Sequence, residues 1–502
     1  MKIVTADEMK RIEKMAFEEG FSENQFMEIA GTRVGEYVHD FAEKNKIPKK
    51  VFLLVGKGNN GGDAYVAGMY LLQKGYTVEA FHLAELEDSS PLNQFYCERF
   101  IENGGRVEFL KDIKNLSLPS TGLIVDGLLG TGFKGQLEGL YLDVIEIAND
   151  SCLPIVSIDI PSGVNGTTGI VQTKAIFASM TVYLGMAKMG FFINDGWNHV
   201  GKLVYADFGL SEKFLELAKE EANLFTDENV TLPKLIRKRH KYQTGYVIGI
   251  AGSPKMGGAA KLSALASLRA GAGIIRLFYP ENSISEMENA PLEIVKNPFN
   301  LEDFDPILQE LKRAKACFIG PGLGREEHTK RFLYNFVPKI AVPTVFDADA
   351  LYLIDNDSFP KGSILTPHHK EMMRLLKIES VKDDDELYEK CQAYAKKYQL
   401  VIVLKGAPSV IFHYENKPVI IAHGDPGMAT AGTGDVLTGI IAAVLAQNVE
   451  PYQAALLGVF LHGVAGEWAA EKKSSYSLIA SDLIDMLPLV FKQLQLQVGK
   501  IL

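Results

Sequence analysis

The sequence predicts an α/β protein made of two consecutive domains, each built on a parallel, doubly wound β-sheet. The length of 502 residues is too great for one ordinary domain. Short, nearly continuous apolar segments alternate with helical stretches along the chain, which is typical of parallel strands buried on both faces. Hydrophobic residues make up 47% of the chain and charged residues 23%, so each domain can close its own core.

The N-terminal half begins with two predicted helices. Thr5-Ala6-Asp7-Glu8 fits a capping box, and apolar residues at helical spacing follow it. A second apolar stripe runs from Phe26 to Phe41. Six strands then alternate with helices: Val51–Val55, Val78–Leu83, Leu123–Val125, Ile155–Ile160, Thr181–Leu184 and Leu203–Tyr205. We assign residues 1–215 to this first domain.

The domain boundary is predicted in a charged segment that contains Pro233 and the basic run Arg237–Lys241. Either a solvated linker or a phosphate contact explains that run. Residues 225–502 form the second domain, which ends its β/α alternation with a long apolar helix from about Asp435 to Leu445. Its predicted strands are Val247–Ala251, Cys317–Ile319, Thr344–Phe346, Ser363–Leu365 and Val401–Leu404.

Charge and cysteine content exclude several classes of protein. The net charge of −10 disfavours binding to nucleic acid or to an anionic membrane, because basic surfaces hold both. The four cysteines are scattered and form no Cys-x-x-Cys pair, which favours free thiols over disulfides or zinc. The opening residues lack a signal peptide's apolar core, and no apolar run approaches the ~18 residues of a membrane span. We therefore expect a cytoplasmic protein, and we expect it to be a homo-oligomer.

A glycine-rich turn, Gly56–Asp63, follows the first strand and leads into a helix. Such glycines let backbone N–H groups approach an anion at a helix start, although a tight strand-to-helix connection would also use them. The spacing matches neither the dinucleotide fingerprint nor a P-loop.

Two further loops at strand ends favour a functional site here. Asp126 precedes the Gly130–Gln136 loop, and Asp159 precedes Ile160-Pro161-Ser162-Gly163. Ligands of open parallel sheets bind outside the carboxyl ends of the strands. Oxygen donors from Asn60, Asp126 and Ser162 suit a hard cation. Asp159 is the best acid/base candidate, and Lys188 either orients phosphate, assists proton transfer or is an ordinary surface lysine.

The segment Gly424–Asp435 is the strongest motif of the C-terminal half. Its glycine-rich loop enters an apolar helix, where backbone amides and the helix dipole can stabilise charge on a phosphoryl group in transfer. Asp435 can take the proton of a substrate hydroxyl, although an N-capping role is the alternative. The strands before it end in further loops with glycine, carboxylate or basic residues: Gly320–Gly324, Asp347–Asp349, Thr366–His368 and Lys405–Ser409. His368 fits a ligand contact and a structural role equally well.

These motifs together resemble the bifunctional NAD(P)H-hydrate repair enzyme family, in which an epimerase domain is fused to a dehydratase domain. The resemblance spans nearly the whole chain and rests on the order of five segments: Gly58–Asp63, Gly130–Gly132, Asp159–Gly163, Gly320–Gly324 and Gly432–Asp435. It implies a Rossmann-like N-terminal domain and a ribokinase-like C-terminal domain. The first would interconvert the R and S epimers of hydrated NADH or NADPH, and the second would dehydrate the S epimer with ADP, giving AMP and phosphate.

The resemblance also implies roles for individual residues. With Lys188, which the residue pattern alone suggests, Asp159 and Asp435 are the candidate catalytic residues. The epimerase substrate would contact Asn59, Asn60, Gly61, Gly62, Asp63, Gly130, Thr131, Gly132, Phe133, Lys134, Gly135, Gln136 and Asp159. Potassium would bind Asn60, Asp126 and Ser162. In the second domain the hydrate would contact Ala259, Gly322, His368 and Asp435. ADP with Mg²⁺ would contact Lys405, Gly406, Ala407, Pro408, Ser409 and Gly434.

The sequence departs from the family pattern at four places. His369-Lys370 replaces a common Pro-Gly, Tyr242 and Ala431 stand where glycine is frequent, and Asp425 replaces a common asparagine. Two rival interpretations stay open from sequence. One is a kinase of the same superfamily acting on a vitamin-like alcohol, with an accessory N-terminal domain. The other is a catalytically silent nucleotide sensor, which would need neither Asp159 nor Asp435.

Overall fold

The computed structural model describes residues 1–116, 118–355 and 358–497. The chain divides into two compact units, Met1–Asn223 and Leu224–Leu502. Among the described helices, none is long and apolar enough to cross a bilayer.

The first unit contains a seven-stranded sheet in which every neighbouring pair of strands is parallel. The strands of this unit are β1 (Lys2–Val4), β2 (Lys50–Val55), β3 (Thr77–His82), β4 (Arg106–Phe109), β5 (Leu123–Gly127), β6 (Ile155–Ile158), β7 (Met180–Leu184), β8 (Ala187–Lys188) and β9 (Lys202–Ala206). The sheet order is β4-β3-β2-β5-β6-β7-β9. Strand order reverses between β2 and β5, so a crevice forms outside their carboxyl ends.

Helices cover the sheet of the first unit. They are α1 (Ala6–Glu18), α2 (Glu23–Lys44), α3 (Asn59–Gln73), α4 (Pro91–Glu102), α5 (Leu140–Asp150), α6 (Gly196–His199) and α7 (Glu212–Leu217). The Thr5 side chain caps α1 by accepting a 3.1 Å hydrogen bond from the Glu8 N–H. Strand β1, just before α1, pairs in parallel with β8, which aligns Val4 with Lys188.

The second unit contains a larger, mixed sheet. Strand β10 (Ala222–Leu224) lies at the boundary between the units, and the strands that follow are β11 (Tyr246–Ile250), β12 (Ile274–Pro280), β13 (Val295–Phe299), β14 (Ala316–Ile319), β15 (Thr344–Phe346), β16 (Ile364–Leu365), β17 (Val401–Leu404), β18 (Ser409–His413) and β19 (Val419–Ile421). Their order is β13-β12-β11-β14-β15-β16-β17-β18-β19, parallel as far as β17 and antiparallel after it. The order reverses between β11 and β14, which places a second crevice at their carboxyl ends.

The helices of the second unit surround one almost completely buried helix, α15. The helices are α8 (Lys241–Thr244), α9 (Gly257–Arg269), α10 (Asp305–Leu311), α11 (Glu327–Phe336), α12 (Asp349–Leu353), α13 (His369–Leu376), α14 (Asp384–Tyr398), α15 (Thr433–Ala446), α16 (Pro451–Lys473) and α17 (Ala480–Gln497). Every residue of α15 from Val436 to Ala446 is buried, so its start is held rigidly beside the sheet.

The structure confirms the predicted α/β class with parallel sheets, and all eleven predicted strands are present within one or two residues of the predicted bounds. The predicted strand Ile155–Ile160 ends at Ile158 because Asp159 adopts a φ of 63°, which a strand cannot continue. Sequence analysis missed strands that lack a continuous apolar run, such as β4 and β13, and the antiparallel hairpin of β18 and β19.

Candidate functional site

A cavity of about 680 Å³ lies at the carboxyl ends of β2, β5 and β6. It therefore occupies the crevice that the reversal of strand order creates. The residues expected from sequence that line it are Asn59, Asn60, Asp63, Gly130, Thr131, Gly132, Phe133, Gln136 and Asp159. Four expected substrate contacts lie outside its lining: Gly61, Gly62, Lys134 and Gly135. The Lys134 ammonium instead pairs with the Asp7 carboxylate at 2.9 Å.

The glycine-rich turn before α3 combines close backbone packing with an open helix start. A Cβ on Gly56 would lie 1.8 Å from the Leu128 carbonyl oxygen, and one on Gly61 would lie 2.3 Å from the Gly56 oxygen. Gly58, the N-cap residue, makes no side-chain capping bond and has nothing within 4 Å of its Cβ position. The Gly61 N–H donates a 3.1 Å bond to the Gly58 carbonyl oxygen, so the N–H groups of Asn59 and Asn60 are the ones that an anionic ligand could meet at this helix start.

Asp159 and Lys188 form a buried ion pair at the floor of this site. The Lys188 ammonium donates hydrogen bonds to the Asp159 carboxylate and, at 2.8 Å, to the Leu184 carbonyl oxygen. Lys188 is 1% exposed and Asp159 is 7% exposed, which excludes the surface-lysine interpretation. Only Asp159 of the pair lines the cavity.

A cluster of oxygen atoms surrounds Asp126. Its buried carboxylate accepts hydrogen bonds from the hydroxyls of Ser157 (2.8 Å) and Ser162 (2.6 Å), both neutral donors. The Asn60 amide lies next to it and donates to the carbonyl oxygens of Leu129 and Ile158 at 3.0 and 3.2 Å. Burial raises the pKa of Asp126, and none of the ion pairs among the described residues includes it. A buried carboxylate with oxygen neighbours and no protein cation fits a hard monovalent cation.

Besides the exposed Glu138, two carboxyl groups in the cavity received no catalytic role from the sequence. Glu13 of α1 lines the cavity beside Lys10, and Asp63 lies in the second turn of α3. Burial, followed by the charge of Asp159, raises the pKa of Glu13 to about 7 and the pKa of Asp63 well above its usual range. The available signal for Glu13 was its position on the apolar face of α1, four residues after Met9 and three before Ala16.

The second site is built around the start of α15. Gly432 adopts a φ of 94° and caps the helix without a side-chain bond, which leaves the first N–H groups of α15 open. Asp435 lies in the first turn, half-buried. Burial, and then the negative charge of Asp347, raises the pKa of Asp435 to about 7. Such a carboxylate can accept a proton at neutral pH.

Lys405 and Asp347 support this loop from the neighbouring strand ends. The Lys405 ammonium donates a 2.7 Å hydrogen bond to one Asp347 oxygen, and the Thr438 hydroxyl of α15 donates a 2.7 Å bond to the other. A Cβ on Gly434 would lie 3.5 Å from the Lys405 ammonium. Although burial opposes it, the charges of Asp347 and Glu371 raise the pKa of Lys405, which stays cationic next to the helix start.

His462 of α16, which the sequence analysis missed, contacts the start of α15. Its ring contacts the Thr433 carbonyl oxygen at 2.9 Å, and burial lowers the pKa of His462 to about 4, so the neutral ring donates this bond. Nothing in the helical spacing of α16 distinguishes His462 from a core residue.

The other expected residues of this domain lie at three places. Gly322 and Ala259 are neighbours, since a Cβ on Gly322, whose φ is 58°, would lie 3.2 Å from the Ala259 Cβ. His368 caps α13: its ring accepts a 3.3 Å bond from the Glu371 N–H, and the side chain is exposed. Gly406, Ala407 and Pro408 form the turn between β17 and β18, with Lys405 before it and Ser409 after it.

The basic run lies away from this loop. Lys238 and Arg239 line a cavity of about 480 Å³ with Thr244, Lys315 and Gln447. Thr244 and Lys315 immediately precede β11 and β14, and Gln447 follows the last residue of α15. The run therefore lies at the amino ends of the strands, whereas Asp435 lies at the carboxyl edge.

Comparisons with known proteins find similar proteins for both halves of the chain. A family model described as NAD(P)H-hydrate dehydratase matches residues 247–489, and one described as YjeF-related protein N-terminus matches residues 23–190. The bifunctional NAD(P)H-hydrate repair enzyme of Moorella thermoacetica is 34% identical over 100% of this chain and 98% of its own length. Its Escherichia coli counterpart is 32% identical over 87% of this chain and 84% of its own. A Bacillus subtilis ADP/ATP-dependent NAD(P)H-hydrate dehydratase structure covers 54% of this chain and 99% of its own, at 30% identity and a TM-score of 0.48.

The identity to the Moorella enzyme extends over both units, and the two family models match one unit each. The chain belongs to the family of bifunctional NAD(P)H-hydrate repair enzymes.

Proposed function

We propose that residues 1–215 interconvert the R and S epimers of hydrated NADH and NADPH, and that residues 225–502 dehydrate the S epimer at the expense of ADP. The observation that carries the dehydratase assignment is the position of Asp435 in the first turn of α15, beside the ammonium of Lys405. The helix start and Lys405 bind phosphate, and Asp435 acts on the hydroxyl of the hydrate.

The dehydration proceeds through phosphorylation, because hydroxide is a poor leaving group. Asp435 takes the proton of the ring hydroxyl, whose oxygen then attacks the terminal phosphorus of ADP, and AMP leaves. The open N–H groups of α15 stabilise the charge on the phosphoryl oxygens. The lone pair of the ring nitrogen then expels inorganic phosphate, and loss of a proton from the adjacent ring carbon regenerates NADH or NADPH.

Magnesium would reach this site bound to the nucleotide. The nearby carboxylates are already hydrogen-bonded by protein donors: Asp347 by Lys405 and Thr438, and Asp349 by the Arg325 guanidinium and the Gly324 N–H. Mg²⁺ commonly keeps several waters and binds substrate phosphates with few protein ligands, which suits this arrangement. Its contribution would be to neutralise charge on the transferring phosphoryl group.

In the epimerase domain, Asp159 exchanges a proton with the substrate while the ring nitrogen supports an iminium or ring-opened form. Lys188 pairs with Asp159 and orients its carboxylate. Potassium would be held by Asn60, Asp126 and Ser162, whose oxygens and uncompensated negative charge suit it. Its contribution would be to balance that charge beneath the substrate.

Recovery of reduced-cofactor absorbance tests the whole proposal. Purified protein is incubated with mixed hydrate epimers, with and without ADP and Mg²⁺. Complete recovery of both epimers only with ADP is expected. A kinase of the same superfamily would instead leave a stable phosphoester and release no inorganic phosphate, and a nucleotide sensor would turn nothing over.

Two further expectations stay predictions. Sedimentation of the purified chain tests the homo-oligomer, and fractionation of the source cells tests the cytoplasmic location.

A further inference from the structure

Glu13 lies in the epimerase cavity because several contacts hold α1 over the carboxyl edge of the sheet. Strand β1 aligns Val4 with Lys188 of β8, so the helix that follows starts beside the Asp159–Lys188 pair. The Ala6 N–H donates a 3.1 Å bond to the Thr167 hydroxyl, and Asp7 pairs with Lys134 of the Gly130–Gln136 loop. From this anchored helix, Glu13 reaches the same cavity as Asp159.

Four carboxyl groups line this cavity: Glu13, Asp63, Asp159 and Glu138, of which Glu138 is exposed. Within the part of the chain that the structure describes, only Asp159 has an ion-pair partner, the fully buried Lys188. Like charges in a shared, poorly solvated site cannot all ionise easily. Lys188 pairs with Asp159 alone, whereas burial and the charge of Asp159 raise the pKa of Glu13 and of Asp63 and favour their protonated forms.

The charges around Glu13 agree with this division. Besides Asp159, Glu13 interacts electrostatically with Lys188 on β8, Lys10 on its own helix and Glu23 on α2. It also interacts with Asp63 in the second turn of α3. Burial and then Asp159 raise the pKa of Glu13 to about 7, while Lys188 and Lys10 oppose the rise. Near neutral pH the group both donates and accepts protons readily.

We propose that Glu13 is the general acid of the epimerase and works with Asp159 as the general base; this inference rests on the proposed epimerase function. Glu13 donates its proton to the ring hydroxyl, the carbon–oxygen bond breaks, and water leaves as the ring nitrogen forms an iminium. Water then adds to the opposite face of that carbon and gives a proton to Asp159. Proton exchange through the cavity returns Asp159 and Glu13 to their starting states. Two carboxyl groups with different protonation states are a common arrangement for acid/base chemistry.

Glu13→Gln tests this role because glutamine keeps the shape of the side chain and removes the transferable proton. We expect the kcat of epimerisation to fall by about 100-fold or more. In the wild type, kcat falls as the pH rises through about 7, since Glu13 must be protonated. This decrease of kcat at alkaline pH should be absent in Glu13→Gln and should persist in Glu13→Asp. Glu18→Gln, at an exposed position of the same helix outside the cavity lining, is the matched control and should behave as wild type.

The measurements separate this inference from its alternatives. ADP-dependent dehydration of the S epimer by the same chain reports whether each variant is folded and should not change. Suppose that Glu13→Gln keeps both the wild-type kcat and its decrease at alkaline pH, while Asp63→Asn loses both. The acid is then Asp63 and the inference is wrong. Infrared difference spectra of wild type and Glu13→Gln give a readout that needs no epimerase activity. A Glu13 carbonyl band that titrates below pH 5 overturns the inference, whereas an absent epimerase activity with titration near 7 overturns the proposed function alone.

Discussion

The two sites share one electrostatic arrangement although their folds and expected reactions differ. In each, a lysine and an aspartate form an ion pair where parallel strands end: Lys188 with Asp159, and Lys405 with Asp347. Beside each pair lies a carboxyl group whose pKa burial raises to about 7, Glu13 in the first site and Asp435 in the second. A carboxyl group beside an ion pair at a strand end can thus be the group that exchanges protons near neutral pH.

The sites differ in how the chain assembles them. Asp435 belongs to a glycine-rich loop that continues directly into the buried helix α15, so neighbouring residues supply both the proposed phosphate-binding amides and the proposed base. Glu13 comes from a helix far from Asp159 in sequence, and the pairing of β1 with β8 brings the two together. Chemistry encoded in one segment is visible in the sequence, whereas chemistry that two distant segments share is not.

Removal of Asp435 should produce the largest effect. Asp435→Ala removes the proton acceptor, so dehydration should slow by about 10²–10⁴-fold. Epimerisation, measured as conversion of the R epimer to the S epimer without ADP, should not change because it uses the other domain. Asp485→Asn, an exposed position on α17, is the control for loss of one negative charge. Equal dehydration rates in Asp435→Ala and wild type would contradict the assignment.

Breaking the more deeply buried ion pair should lower stability strongly. Lys188→Met leaves the buried Asp159 without a cation, which should lower the free energy of unfolding of the first domain by about 3–5 kcal/mol. The double variant Asp159→Asn/Lys188→Met should recover much of this loss, because the unpaired charge is gone. Denaturant unfolding measures both values. A double variant no more stable than Lys188→Met would show that the pair contributes through packing instead.

The pH dependence of dehydration should shift when Lys405 is removed. In the wild type, the rate should rise with pH through about 7, because Asp435 must be ionised to accept a proton. Lys405 lowers the pKa of Asp435, so Lys405→Met should move this rise to higher pH and also raise the KM for ADP. The exposed Lys417→Met is the matched control. An unchanged pH profile in Lys405→Met would separate Lys405 from the base.

The smallest effect is expected at the helix start. An added Cβ at Gly434 meets only the Lys405 side chain at 3.5 Å or more, so Gly434→Ala should fold normally. The new methyl group should crowd the bound phosphate and raise the KM for ADP by about 10-fold, with little change in kcat. Initial rates at varied ADP concentrations measure KM and kcat separately. A reduced kcat at unchanged KM would place the phosphate elsewhere.

Apolar runs and glycine loops made most of the fold predictable. Parallel strands buried on both faces need continuous apolar segments, and these gave the central strands of both sheets. Exposed or edge strands such as β4, whose residues are only partly buried, carry no such run and were missed. In the sites, Asp159 and Asp435 were recognisable because each directly follows a strand or a glycine loop. Glu13 and His462 were not, because an isolated polar residue on an apolar helical face gives no local sign of its partner.

The sequence by itself determined the two α/β domains, the order of the site loops and the family, because those features depend on short segments and their spacing. Only the tertiary structure decided which ionisable groups are buried and which of them lie close to one another. The burial of Lys188, the buried charge of Asp126 and the position of Glu13 near Asp159 follow from strand pairing and helix packing between distant segments. Protonation states depend on that burial and on those distances, so the assignment of acid and base required the folded chain.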